Sequence, residues 1–276
     1  MIYLVLGILS SALISVLMRV SEKYRRNDLS MLAMNYLMCT VLAAVFTGGP
    51  VFPAAEGLPL TIGLGVISGV MFLGSFVLLQ WNIRKNGVVL PATFMKLGVL
   101  VPTVLSILIF GETLRWTQIA GIAAAISAIF LMQGGGREKA ASMVGLIALM
   151  LGGGSTDAMS KIYEEVASAA LKDHYLMYTF FIAMLLCIVV CVLRRQTLTP
   201  MDALFGLAIG IPNYFSARFL LLSLAEIPAV VAYPSYNVGT IVLVTVLGML
   251  VFKEKLGRRK LIALGIILAA LALLNL

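Results

Sequence analysis

Three ionisable side chains, Lys96, Asp157 and Arg218, interrupt long apolar runs, and chemistry is expected from them first. A charge within hydrocarbon costs about 2.5–3.5 kcal/mol on insertion scales, so one that persists faces a cavity, a partner or a bound solute. Counted from the cytoplasmic start of each run at roughly 1.5 Å per residue, Lys96 lies about 12 Å deep, Asp157 about 21 Å and Arg218 about 25 Å. Lys96 has no acidic residue at its depth, and its ammonium suits a carboxylate or phosphate on a solute. Its competing role is to snorkel, or to bind carbonyls freed by Pro91 and Pro102. Asp157 and Arg218 are close enough in depth to form an ion pair. Alternatively, Asp157 takes a proton, a cation or a solute's ammonium, and Arg218 takes an anionic end.

Neutral polar groups add to this set. Pro212-Asn213-Tyr214 and Tyr233-Pro-Ser-Tyr236-Asn237 place Pro within apolar runs, beside side chains able to hydrogen-bond. Each Pro removes a backbone donor and frees a carbonyl one turn back. Asn213, Tyr214, Tyr236 and Asn237 are therefore candidates for solute contact, with hydrogen bonding between helices as the alternative. Asn35 and Tyr36 lie near the depth of Lys96 and are secondary candidates. Glu112 and Glu254 sit at junctions between runs and are expected to shape turns. His174, opening a run, is expected to be solvated, and Lys161 and Lys172 fall in the same set of loops as Arg115.

Other chemistry is poorly provided for. No nucleophile, base and acid set, clustered metal ligands, dinucleotide fingerprint or phosphate loop occurs, and the chain has a single His. No catalytic residue, metal or cofactor is expected, and the chain is not read as an enzyme. Cys39, Cys187 and Cys191 all lie inside apolar runs, without zinc or disulfide spacing, and read as inert thiols.

The elements that must position these residues follow from composition. The chain has 276 residues, 61% hydrophobic and 12% charged, with a mean hydropathy of +1.06. Lipid is the solvent for such a chain, and a helix crosses it in about 20 apolar residues. Charge clusters and Gly/Pro punctuation divide the sequence into spans near 2–20, 29–47, 59–81, 87–110, 115–132, 142–160, 174–193, 201–224, 228–252 and 258–275. The expected fold is an all-α integral membrane protein of ten transmembrane helices. The net charge of +8 is scattered in short clusters, which excludes a nucleic-acid face and reads as topology. Lys and Arg concentrate in the loops after spans 1, 3, 5, 7 and 9, so both termini are expected outside the cytoplasmic membrane of a bacterium.

The sequence also matches itself at an offset of about 142 residues. Phe110-Gly-Glu112-Thr-Leu114 falls on Phe252-Lys-Glu254-Lys-Leu256, Arg19-Val-Ser-Glu22 on Lys161-Ile-Tyr-Glu164, and Tyr36 on Tyr178. Gly65 and Gly69 answer Gly206 and Gly210, a spacing that lets helices approach closely. Tyr236 and Asn237 fall near the counterpart of Lys96. Residues 1–136 and 140–276 are thus read as two five-helix repeats. An odd number of spans in each makes the second repeat inverted, the architecture of alternating access.

With Val88–Met132 and Val230–Leu274 each carrying an early Pro, an F-x-E-x-L junction and a Gly-rich closing helix, the chain resembles the drug/metabolite transporter superfamily in its ten-span EamA-like branch. The resemblance implies a secondary carrier with a cavity lined by spans 1, 3, 4, 6, 8 and 9. Relatives often have a cytoplasmic amino terminus, from which the charge count here departs. The cargo is expected to be a small polar metabolite, anionic or zwitterionic: an amino acid, organic acid or phosphorylated compound. A proton-coupled exporter of cationic drugs or amines centred on Asp157 is the alternative, and a channel the remote one. The expected partners are a small-molecule substrate and the lipid bilayer. A monomer suffices, and a homodimer is compatible with it.

Overall fold

A computed structural model describes residues 1–24, 27–86, 91, 94, 95, 97–133, 142–252 and 258–274. Lys96, the loop at 134–139 and Glu254 lie outside the described residues. Among those described there are ten α-helices and no strand. They are α1 (Ile2–Ser21), α2 (Asp28–Thr47), α3 (Leu58–Asn86), α4 (Leu100–Leu108), α5 (Trp116–Gln133), α6 (Met143–Val166), α7 (Lys172–Leu193), α8 (Pro200–Leu224), α9 (Ala229–Phe252) and α10 (Arg258–Leu274). They fall one for one on the ten expected spans. Seven are long and apolar enough to cross a membrane, and apolar stretches of α5 and α10 are shorter. The protein is an all-α membrane protein.

Local chemistry sets where the helices begin. Asn27 caps α2, its side-chain oxygen accepting from the N–H groups of Leu29 and Ser30. Helix α2 ends at Gly48, whose φ of 61° suits a residue without a side chain. Pro200 opens α8, where its missing N–H costs nothing. Thr199 Oγ1 donates to Asp202 Oδ2 at 2.7 Å and accepts from the Asp202 N–H at 3.2 Å, a reciprocal cap. Asp202 Oδ1 also accepts from the Asn27 N–H, which ties the starts of α2 and α8 together.

The helices pack as two compact units. One comprises Met1–Leu73 and Ile162–Ser223, the other Gly74–Lys161 and Leu224–Leu276. Each therefore draws on both sequence halves. In the first unit α2 runs along α7, and two helix crossings share one atomic pattern. A Cβ on Gly65 would meet Tyr175 O, Tyr178 Cβ and Thr179 N, and one on Gly206 would meet Met31 O, Met34 Cβ and Asn35 N. One turn on, Gly69 faces Thr179 O and Ile182 Cβ, while Gly210 faces Asn35 O and Met38 Cβ. The start of α3 thus lies on α7 as α8 lies on α2, in each case at a contact only glycine permits.

In the second unit α10 lies along α5, and α9 packs against α4, α5 and α10 around Ala125, Ala128, Val238 and Ala270. The end of α3 is fastened to α6 by polar groups. Asn82 Nδ2 donates to Gly145 O and Asn86 Oδ1 accepts from the Ser142 N–H, both at 2.9 Å, and Ser75 pairs with Thr156.

Candidate functional site

Five of the expected residues come together in the first unit. Asn35 and Tyr36 lie on α2, and Asn213, Tyr214 and Arg218 on α8. Arg218 is the centre of the charged part. Its Nε donates to Asp173 Oδ1 at 2.8 Å and its Nη2 to Asp173 Oδ2 at 3.0 Å, a two-point guanidinium–carboxylate pair. The guanidinium carbon also lies 4.3 Å from the centre of the Phe46 ring. The partner seen for Arg218 is thus Asp173, in the first turn of α7, where depth counting had offered Asp157.

Tyr214 sits one turn before Arg218 on the same face of α8. Its ring stacks on Phe46, with centroids 5.6 Å apart, and contacts Phe180 and Phe215. Its hydroxyl is buried and has no hydrogen-bond partner among the described residues. An unmet hydroxyl in an apolar surround is costly, and it is satisfied when a solute or water supplies a partner.

The two amides bond to each other between helices. Asn213 Nδ2 donates to Asn35 Oδ1 at 3.0 Å, and the Cys39 thiol approaches both Asn35 Oδ1 and Gly210 O. These bonds join α2 to α8 beside the Gly210 contact. Tyr36 is buried against Phe72 and Phe180.

The remaining candidates lie in the second unit. Asp157, on α6, is exposed, and its backbone carbonyl accepts from the Tyr233 hydroxyl at 2.7 Å. Tyr236 and Asn237 are half-buried on α9. Asn237 Nδ2 donates to Tyr233 O, and the residue lines a narrow apolar crevice with Val99, Thr103, Ile122 and Pro234.

Two groups that the sequence placed in water or in loops are buried. Lys161 lies within α6, with its side chain 5% exposed and its Nζ 2.8 Å from Glu112 Oε1. The Glu112 carboxylate also accepts from the N–H groups of Ala229 and Val230, at 3.1 and 3.0 Å, where α9 begins. Glu112 therefore does more than shape a turn: it binds the free donors and positive end of another helix. Burial pushes its pKa up, but the Lys161 hydrogen bond, the two backbone donors and the Lys161 charge together hold it below the usual 4.5. His174 is likewise buried, not solvated. Its Nε2 meets Pro50 O at 3.2 Å, and Tyr178 donates to Val51 O at 2.5 Å, so α7 fastens the loop between α2 and α3.

The missed partners had a signal in the sequence. Asp173 opens the span next in order to the one that ends near Arg218, and the depth count already put Arg218 near that end. Asp173 precedes its apolar run instead of lying inside it, so depth within the runs does not single it out. For Lys161, its register with Arg19 in the self-match marked it as part of a repeated helix end.

These features define a helical membrane protein whose polar groups are gathered on apolar helices. Residues 1–133 match the EamA-like transporter family, and residues 174–267 match the Small Multidrug Resistance protein family. These matches bear out the resemblance to the drug/metabolite transporter superfamily carried by the paired F-x-E-x-L junctions, and they point to a membrane transporter of small molecules. An uncharacterized protein of Haemophilus influenzae is 27% identical over 287 residues, spanning 98% of this chain and 95% of that one. A crystal structure described only as that of a protein shares the fold, with a TM-score of 0.78 at 15% identity over 99% of this chain and 98% of the other.

Proposed function

We propose that the protein is a secondary carrier that moves a small polar metabolite, anionic or zwitterionic, across the cytoplasmic membrane by alternating access. The observation that carries this reading is Arg218. It is a half-buried cation on an apolar helix, set between Phe46 and Asp173 and one turn from the unmatched Tyr214 hydroxyl. A guanidinium held in that way meets a carboxylate or phosphate with directed donors.

In this reading Asn35, Asn213 and Tyr36 hold α2 and α8 in place around Arg218, and Lys96, Tyr236 and Asn237 remain candidates for solute contact in their own right. The shared atomic pattern at the two glycine crossings supports two inverted repeats, 1–136 and 140–276, which exchange roles as the site turns from one face to the other. The loop charges favour both termini outside. No ATP-binding motif is present in the sequence, so a gradient of the cargo, of protons or of an exchanged solute drives transport.

A second reading is export of cationic drugs or amines centred on Asp157. It is favoured by the exposure of Asp157 and by the match to the Small Multidrug Resistance family. That match covers 174–267 and so leaves Asp157 outside it, which weighs for the first reading. Uptake into proteoliposomes of labelled amino acids, organic acids, sugar phosphates and cationic dyes separates the two. Anionic or zwitterionic uptake that collapses in Lys96→Ala and Arg218→Gln supports the metabolite carrier. Uptake of dyes alone, abolished in Asp157→Asn and intact in Lys96→Ala, overturns it.

A further inference from the structure

We propose that Asp173 and Arg218 together read the two ends of a zwitterion, which makes Asp173 a specificity residue and amino acids the cargo class. The proposal rests on the carrier reading of Arg218 and narrows it.

The pair leaves donors and acceptors unused. A guanidinium has five N–H donors, and the contacts to Asp173 occupy Nε–H and one on Nη2. Three donors remain, and each Asp173 oxygen retains a lone-pair direction. The side chains of Arg218 and Asp173 are 22% and 28% exposed, enough to be reached and too little to be fully hydrated.

Charge then selects the solute. The pair is neutral as a whole but strongly dipolar. A simple anion approaching Arg218 also meets the Asp173 carboxylate, and a simple cation approaching Asp173 meets the guanidinium. In a surround of low polarity each suffers repulsion comparable to its attraction. A solute with an ammonium and a carboxylate a few bonds apart lies head to tail against the pair and is attracted at both ends. Phe46, 39% exposed over the guanidinium, offers an apolar wall to the rest of the solute, and the fully buried Tyr214 ring backs it from behind.

The test uses the full chain in proteoliposomes. Uptake of a labelled mixture of the common amino acids is measured with three competitors: the unlabelled mixture, the same mixture N-acetylated, and the same mixture as C-terminal amides. Only the unmodified mixture is expected to compete. Asp173→Asn should weaken amino-acid competition about ten- to a hundredfold, as loss of a charged hydrogen bond does, and let the N-acetylated anions compete. Asp173→Glu should restore the wild-type pattern, and the exchanged pair Asp173→Arg with Arg218→Asp separates loss of folding from loss of recognition. Thermal melting in detergent is recorded for each variant.

N-acetylated anions competing as well as amino acids in the wild type would overturn the zwitterion proposal and leave the carrier reading intact. So would an Asp173→Asn variant that melts normally and keeps the wild-type competition pattern. No uptake of amino acids, with uptake of dyes, would overturn both.

Discussion

Replacing Glu112 by Ala removes three interactions that meet on one carboxylate. Lys161 loses the oxygen 2.8 Å from its Nζ, and the first two N–H groups of α9 lose their acceptors. Removing one partner of a buried ion pair costs about 3–5 kcal/mol, because the other charge stays in low dielectric. Loss of a helix cap costs about 1 kcal/mol when taken alone. The same two oxygens serve both roles, so the terms overlap, and about 4 kcal/mol is expected in total.

Lys161→Met should cost less, about 2 kcal/mol, since the carboxylate keeps two backbone donors and is 14% exposed. The double variant Glu112→Gln with Lys161→Met leaves no buried charge and keeps an acceptor at α9, and it should return to within about 1–2 kcal/mol of wild type. Reversible unfolding by sodium dodecyl sulfate in mixed micelles, followed by the fluorescence of Trp81 and Trp116, measures all three. A Glu112→Ala variant within about 1 kcal/mol of wild type would refute the reasoning, as would a double variant weaker than either parent.

The pH dependence has a definite sign. The folded pKa of Glu112 is depressed below 4.5, so its contribution is fully present above that value and is lost as the pH falls through the folded pKa. The stability gap between wild type and Glu112→Gln should be constant from pH 8 to 5 and close at lower pH. A gap that changes between pH 8 and 6 would contradict the assignment. At the glycine crossings, Gly206→Val and Gly65→Val should each lower stability by about 1–3 kcal/mol through overpacking, whereas Gly63→Ala, which meets nothing within 4 Å, should be neutral or slightly stabilising. Melting of the three variants checks this, and equal effects would contradict it. Tyr178→Phe removes the hydroxyl that holds Val51, so limited proteolysis within 48–57 should accelerate with the rest of the chain unchanged. Unaltered cleavage would mean that the loop is held elsewhere.

The membrane makes helices legible and their partners obscure. Every spanning segment must close its own backbone hydrogen bonds, so an apolar run of sufficient length is a helix whatever its neighbours, and each observed helix falls on an expected span, α4 on only part of 87–110. Errors arise where a charge was taken to end a run. Lys161 was assigned to a loop, yet α6 continues to Val166 because the lysine's charge is met by Glu112. His174 and Asp173 open α7 at what reads as a solvated helix start, whereas one meets the loop at Pro50 and the other meets Arg218. These partners lie many residues away in sequence, and only the order of the spans and the register of the repeat point towards them. The small-residue spacing of Gly65, Gly69, Gly206 and Gly210 was legible because close approach requires glycine itself.

The central claim is a carrier that binds its solute at Arg218 and turns with it across the membrane. Its most direct test is exchange: proteoliposomes preloaded with unlabelled amino acids, set beside empty ones, and timed for uptake of the labelled mixture. Internal solute is expected to accelerate uptake in the wild type, and Arg218→Gln, shown by melting to be folded, to abolish both uptake and acceleration. Uptake that is indifferent to internal solute, or that survives in Arg218→Gln, would contradict it.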